Sequence, residues 1–108
     1  MKVNIKPLSV NQCWQGKRFK TPKYKVYETE LLYLLPKIKL PKPPFEIHLT
    51  FGFSSKLSDW DNPIKPFQDI LQKKYNFDDR DVFKAVVKKE IVKKGSEYIE
   101  FKINSYEM

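Results

Sequence analysis

The sequence predicts a mixed α+β domain in the order β-α-β-α-β-β, a mixed sheet with two helices packed on it. Three observations carry this expectation. Phe45, Ile47, Leu49, Phe51 and Phe53 alternate strictly with Glu46, His48, Thr50 and Gly52, the period-2 pattern of a strand with one apolar face. Two stretches with helical spacing each begin at a proline. The last third of the chain is rich in β-branched and aromatic residues.

The elements follow in order. Val3 and Ile5 alternate with Lys2, Asn4 and Lys6, which predicts a short strand over residues 2–6 ended by Pro7. Asn11 to Lys20 is polar and reads as a loop. Thr21 is an N-cap residue with Pro22 at the first helical position, and Tyr24, Tyr27, Leu31, Leu34 and Leu35 form the helix's apolar stripe. Pro36 closes that helix, because the residue before a proline is pushed out of the helical region. The segment 37–44 holds three prolines and reads as an extended connector. After the central strand, a second helix is expected from about Pro63 to Lys74, burying Ile64, Phe67, Ile70 and Leu71. Val82 to Lys94 and Glu97 to Ile103, with Gly95-Ser96 between them, read as a C-terminal hairpin.

At 108 residues, with 41% hydrophobic and 15% aromatic side chains, the chain has the size and composition of one domain, 1–108. Its single cysteine, Cys13, excludes an intramolecular disulfide and reads as a small buried filler. The N-terminus has no apolar run of signal-peptide or membrane-span length, so a cytoplasmic location and no membrane partner are expected. The one histidine, His48, lies on the polar face of its strand and reads as a surface or packing residue.

Charge is distributed unevenly. The chain carries 21 Lys+Arg against 13 Asp+Glu, a net of +8, which favours nucleic acid as a partner. Yet the stretch from Asp59 to Asp81 holds six acids against four bases: Asp59, Asp61, Asp69, Asp78, Asp79 and Asp81. Carboxylates crowded on a cationic chain call for a neutraliser, and hard oxygen donors select Mg²⁺ or Mn²⁺. If the segment leaving the central strand stays extended, Asp59 and Asp61 point to one side and Trp60 wedges into the core. The second helix then starts beside them, and helix N-termini attract anions such as a scissile phosphate. Lys65 in its first turn is placed to offset charge building on that phosphate. Asp79, on the loop returning to the sheet, is the expected third ligand. Asp69 stands four residues from Lys65 and reads as its ion-pair partner.

Taken together, Asp59-x-Asp61-Asn62-x-x-Lys65, Asp69-x-Leu71 and Asp78-Asp79-x-x-Val82 resemble the RusA family of Holliday junction resolvases. Pro7-x-Ser9-x-Asn11 and Arg18-Phe19-x-Thr21 are similar to that family's opening segment. The resemblance implies a small homodimeric, Mg²⁺-dependent endonuclease that nicks four-way DNA junctions symmetrically. It places the essential acids on Asp59, Asp61 and Asp79 and the essential lysine on Lys65. Ser58 departs from the family, which often has a basic residue there. Lys17, Arg18, Lys84, Lys88, Lys89, Lys93 and Lys94 are the candidates for DNA-backbone contacts. Two alternatives stay open: a branched-DNA-binding protein of the same fold without cleavage, and an interaction module whose acidic turn binds a basic partner.

Overall fold

The computed structural model describes residues 1–16 and 19–107. Its elements are β1 (Lys2–Val3), β2 (Trp14–Gln15), β3 (Phe19–Lys20), α1 (Pro22–Leu34), β4 (Phe45–Phe53), α2 (Ile64–Tyr75), β5 (Val82–Ile91) and β6 (Tyr98–Ser105). The chain is a mixed α+β domain. A four-stranded sheet has the order β1-β6-β4-β5, and β2 pairs with β3 in a small separate ribbon. β4 is parallel to β5 and antiparallel to β6.

Both helices cover the same face of the sheet. Phe45, Ile47, Leu49, Phe51 and Phe53 of β4 join Ile99, Phe101 and Ile103 of β6 in one core. Tyr24, Tyr27, Leu31 and Leu35 reach it from the first helical segment, and Phe67, Ile70 and Leu71 from α2. Phe67 is the hinge pin of this packing. It is fully buried and meets Phe51 and Phe101 edge-on, with ring centroids 6.0 and 5.8 Å apart. Of the expected stripe, Tyr24, Tyr27, Leu31 and Leu35 are buried, while Leu34 is 42% exposed.

α1 starts as expected. The Thr21 hydroxyl accepts the Tyr24 N–H at 3.1 Å and donates to the Gln12 carbonyl at 2.6 Å, so one side chain caps the helix and ties it to the preceding segment. Between the helices, Glu28 accepts from Lys20 at 3.1 Å and from Lys73 at 3.4 Å. Burial pushes the Glu28 carboxyl up, but the hydrogen bonds and charges of the two lysines outweigh it and hold the group below its ordinary value.

Three expectations are corrected. The N-terminal strand stops at Val3, because the Ile5 N–H turns back onto the Val3 carbonyl at 3.1 Å. The polar segment before α1 is not a plain loop: a 3-10 turn (Val10–Gln12) and the β2–β3 pair organise it around the buried Cys13. The C-terminal strands are not a hairpin. β4 lies between β5 and β6, and residues 92–97 cross the end of β4. Two strand spacings, about 10 Å, are an easy span for six residues. The Val92 N–H, bonded to the Phe53 carbonyl at 2.7 Å, starts that crossing.

The face without helices carries Glu46, His48, Thr50 and Gly52 from β4, flanked by Lys84, Lys88 and Glu90 of β5 and Tyr98, Glu100 and Lys102 of β6. Tyr98 lies across Gly52 so that its hydroxyl donates to Glu90 at 2.5 Å, linking β6 to β5 over the strand between them. A Cβ at Gly52 would stand 2.5 Å from that ring, which is why the position has no side chain. The hydrogen bond to Glu90, with burial, pushes the Tyr98 phenol up to about 12.

Candidate functional site

The acid-bearing loop follows β4. From Ser58 to Pro63 the backbone bends rather than staying extended. The Ile64 N–H bonds to the Asp61 carbonyl at 3.2 Å, and the Asn62 amide donates to Asp59 Oδ2 at 3.1 Å. Trp60 is therefore not a core wedge; it is 56% exposed. α2 begins at Ile64, one residue later than expected, with Pro63 as its cap residue and no side-chain cap.

Two long-range tethers fix this loop. The Val10 N–H bonds to the Asn62 carbonyl at 2.9 Å, clasping the N-terminal segment to the motif. The Lys89 ammonium donates to the carbonyl of Lys56 at 3.0 Å and to that of Ser58. Lys89, expected on the DNA, is thus turned to the helix side of β5 and engaged by the loop that delivers Asp59. Lys84 and Lys88 point the other way, onto the open face, where Lys84 lies 3.7 Å from Glu46. Lys93 and Lys94 stand exposed on the connection after β5. These lysines do not share one face, because Lys88 and Lys89 are neighbours on a strand and point to opposite sides of the sheet. Lys17 and Arg18 lie outside the described residues.

In the first turn of α2, Lys65 meets two acids. Its ammonium is 3.0 Å from Asp69 Oδ1, the expected i,i+4 pair, and 3.9 Å from Asp79 Oδ2. The hydrogen bond to Asp69 and the charges of both acids raise the lysine's pKa above its ordinary 10.5, against partial burial. Asp79 reaches this position because Asn76 ends α2 in the left-handed conformation, φ 56°, and turns the chain back along the helix. Asp78 then caps a 3-10 turn (Asp79–Asp81), accepting the Arg80 N–H at 3.0 Å, and this bond holds its carboxyl below the usual range.

The structure thus brings Lys65, Asp69 and Asp79 together, and Asp59 with Asn62. Among the described residues, it gathers no group of three or more His, Cys, Asp or Glu side chains spaced to hold a metal ion. The carboxylates suit Mg²⁺ in donor type; as a three-acid cage they are not assembled.

Cys13 and His48 play no part here. Burial and the charge of Asp69 push the Cys13 thiol up to about 11, so it stays protonated, and it donates weakly to the Ser9 carbonyl at 3.4 Å. His48 pairs with Glu46 at 2.6 Å on the open face. Among the described residues no helix is long and apolar enough to cross a membrane.

What sequence reasoning missed is the role of Asn62 and Lys89 in holding the loop. Asn62 carried a signal, since an amide three positions after an aspartate can bond back to it. Lys89 carried none, because its partners are backbone carbonyls more than thirty positions away.

No protein-family model matches the chain, and no match to it is found among curated proteins.

Proposed function

We propose that this chain is a structure-selective endodeoxyribonuclease of the RusA type, acting in the cytoplasm as a homodimer on four-way DNA junctions. The observation that supports it most is the meeting of Lys65 with Asp79, at 3.9 Å. The first turn of α2 and the turn after its end thereby share one exposed spot. Asp59, Asp61 and Asp79 would hold Mg²⁺, or Mn²⁺ in its place. Such an ion usually takes one or two carboxylates, keeps several waters and draws further ligands from substrate phosphate. When bound it supplies an activated water and neutralises charge on the phosphate.

The chain's own residues do the rest. Lys65 keeps its proton at neutral pH and faces the charge that builds on the phosphate or its leaving oxygen. The first turn of α2 adds little to that attraction, because the Ile64 N–H is bonded to the Asp61 carbonyl, the Phe67 N–H to the Pro63 carbonyl, and Pro66 has no N–H. Lys84, Lys88, Lys93 and Lys94 give salt-dependent affinity for the DNA backbone without base preference. A two-fold dimer presents two such sites to opposing strands of a junction.

A second reading, a branched-DNA-binding protein without cleavage, is favoured by the lack of an assembled three-acid group among the described residues. One assay separates the two. Wild type and Asp61→Asn are incubated with a labelled four-way junction or linear duplex, in Mg²⁺ or in EDTA. The nuclease reading expects junction-selective nicking that requires Mg²⁺ and vanishes in the variant. Tight junction binding by both proteins without nicking supports the second reading. No DNA binding at low salt contradicts both and leaves the acidic turn as a protein-interaction module.

A further inference from the structure

We propose that the groove between the N-terminal segment and α1 is a binding site for a small apolar carboxylic acid. The inference goes beyond the nuclease reading and does not depend on it.

The groove measures about 240 Å³. Sites for drug-sized ligands run to ~300–1,000 Å³, so an occupant here is small. Its walls are mostly apolar, with Ile5, Pro7 and Leu8 on one side and Val26 and Tyr27 of α1 on the other. Val26, 57% exposed, is the part of that wall which water meets when the groove is empty. The facing segment is held at both ends. The Ile5 N–H bonds to the Val3 carbonyl at 3.1 Å, and the Val10 N–H to the Asn62 carbonyl at 2.9 Å. A preformed apolar cleft with a few placed polar groups is the usual form of a small-ligand site.

The polar groups choose an anion. Lys6 and Lys23 bring two ammonium groups to the groove, against the one carboxylate of Glu30. Among the described residues neither lysine enters an ion pair, unlike Lys20 and Lys73, which Glu28 engages. Tyr27 supplies the third donor. It is 5% exposed, and its hydroxyl is buried with no hydrogen-bond partner among the described residues. Burial, with the neighbouring Cys13 and Tyr24, drives its pKa far up, so the group keeps its proton. The Leu8 N–H pulls against that rise from the oxygen's side, so what the hydroxyl lacks is an acceptor. Buried donors are nearly always paired, and one left open in the wall of a groove points to a partner that enters it. A carboxylate can accept from the phenol and the ammonium groups together, while its apolar body covers Ile5, Leu8 and Val26. A phosphate would meet the same donors but has no apolar body for these walls to cover.

The test titrates the ¹⁵N-labelled protein with hexanoate, with its neutral counterpart hexanamide, and with acetate, which has the charge without the apolar body. Amide shifts are followed at Ile5, Lys6, Leu8, Val26 and Tyr27. Hexanoate is expected to give saturable shifts there, with affinity about tenfold above hexanamide, and acetate none at the same concentration. Tyr27→Phe is expected to bind hexanoate about fivefold more weakly, while its unfolding midpoint without ligand stays the same or rises, because the hydroxyl it removes has no partner. The double variant Lys6→Met, Lys23→Met, changed only at the rim, is expected to lose the preference for hexanoate over hexanamide. The site is overturned by an absence of saturable shifts, by equal affinities for the acid and the amide, or by acetate matching hexanoate. Full hexanoate affinity in Tyr27→Phe, or in the double lysine variant, overturns it as well.

Discussion

Both acidic stretches that flank α2 are shaped by local backbone hydrogen bonds, but only the first is also tied by such bonds to distant parts of the chain. The stretch from Asp59 to Asn62 is fixed by hydrogen bonds in which backbone takes part: Val10 to Asn62, Ile64 to Asp61, and Lys89 to the carbonyls just before it. Asp79 instead meets Lys65 through two exposed charges, with side chains 48% and 60% accessible. Backbone bonds set a position that salt and neutral pH leave alone. An exposed ion pair contributes about 0.2–1 kcal/mol and is screened by salt. Asp79 can therefore exchange Lys65 for another cation at a cost of that order, while Asp59 cannot move without loosening its loop. The contrast reconciles an unassembled acid group with a metal-dependent reading: one half is a frame and the other an arm.

The comparison can be broken most severely at its shared support. Phe67 anchors α2 between Phe51 and Phe101, so Phe67→Ala is expected to cost about 3–5 kcal/mol, read as a lower denaturation midpoint. Both acidic stretches should lose protection from hydrogen exchange together. Lys89→Met tests the frame alone. It is expected to cost about 1–2 kcal/mol, nearly independent of salt, with faster exchange in residues 56–59 and none at Asp79. Lys65→Met tests the arm. Its stability change should stay below about 1 kcal/mol and shrink further in high salt, even where junction cleavage is lost.

The smallest expected effect concerns pH. Glu28 has a depressed folded-state pKa between Lys20 and Lys73, so its contribution is present above the ordinary value of 4.5 and lost as pH falls through the folded value. Glu28→Gln should flatten the stability profile below pH 4.5 and leave the acid loop's exchange unchanged.

What the sequence made legible was local. Thr21-Pro22 capped α1 where expected, and the alternation from Phe45 to Phe53 gave β4 its bounds, because caps and side-chain periods act over a few residues. The Lys65–Asp69 pair was legible for the same reason. Strand pairing was not. Gly95-Ser96 gave a sound turn signal, yet β4 separates the strands it joins, since the aromatic faces of β4 and β6 bury together under Phe67. The exposed Trp60 misled because hydrophobic character alone does not say which way a bent loop points. Lys89 was unreadable as a tether, since any lysine can serve a carbonyl and nothing nearby in sequence marks the one that does.

The proposed activity requires Asp79 to act with Asp59 and Asp61 upon a single ion. Calorimetric titration of Mn²⁺ into the wild type and into Asp59→Asn, Asp61→Asn and Asp79→Asn addresses that directly. Each substitution is expected to weaken binding at least about tenfold. Full affinity retained in Asp79→Asn, beside a loss in the other two, would contradict it.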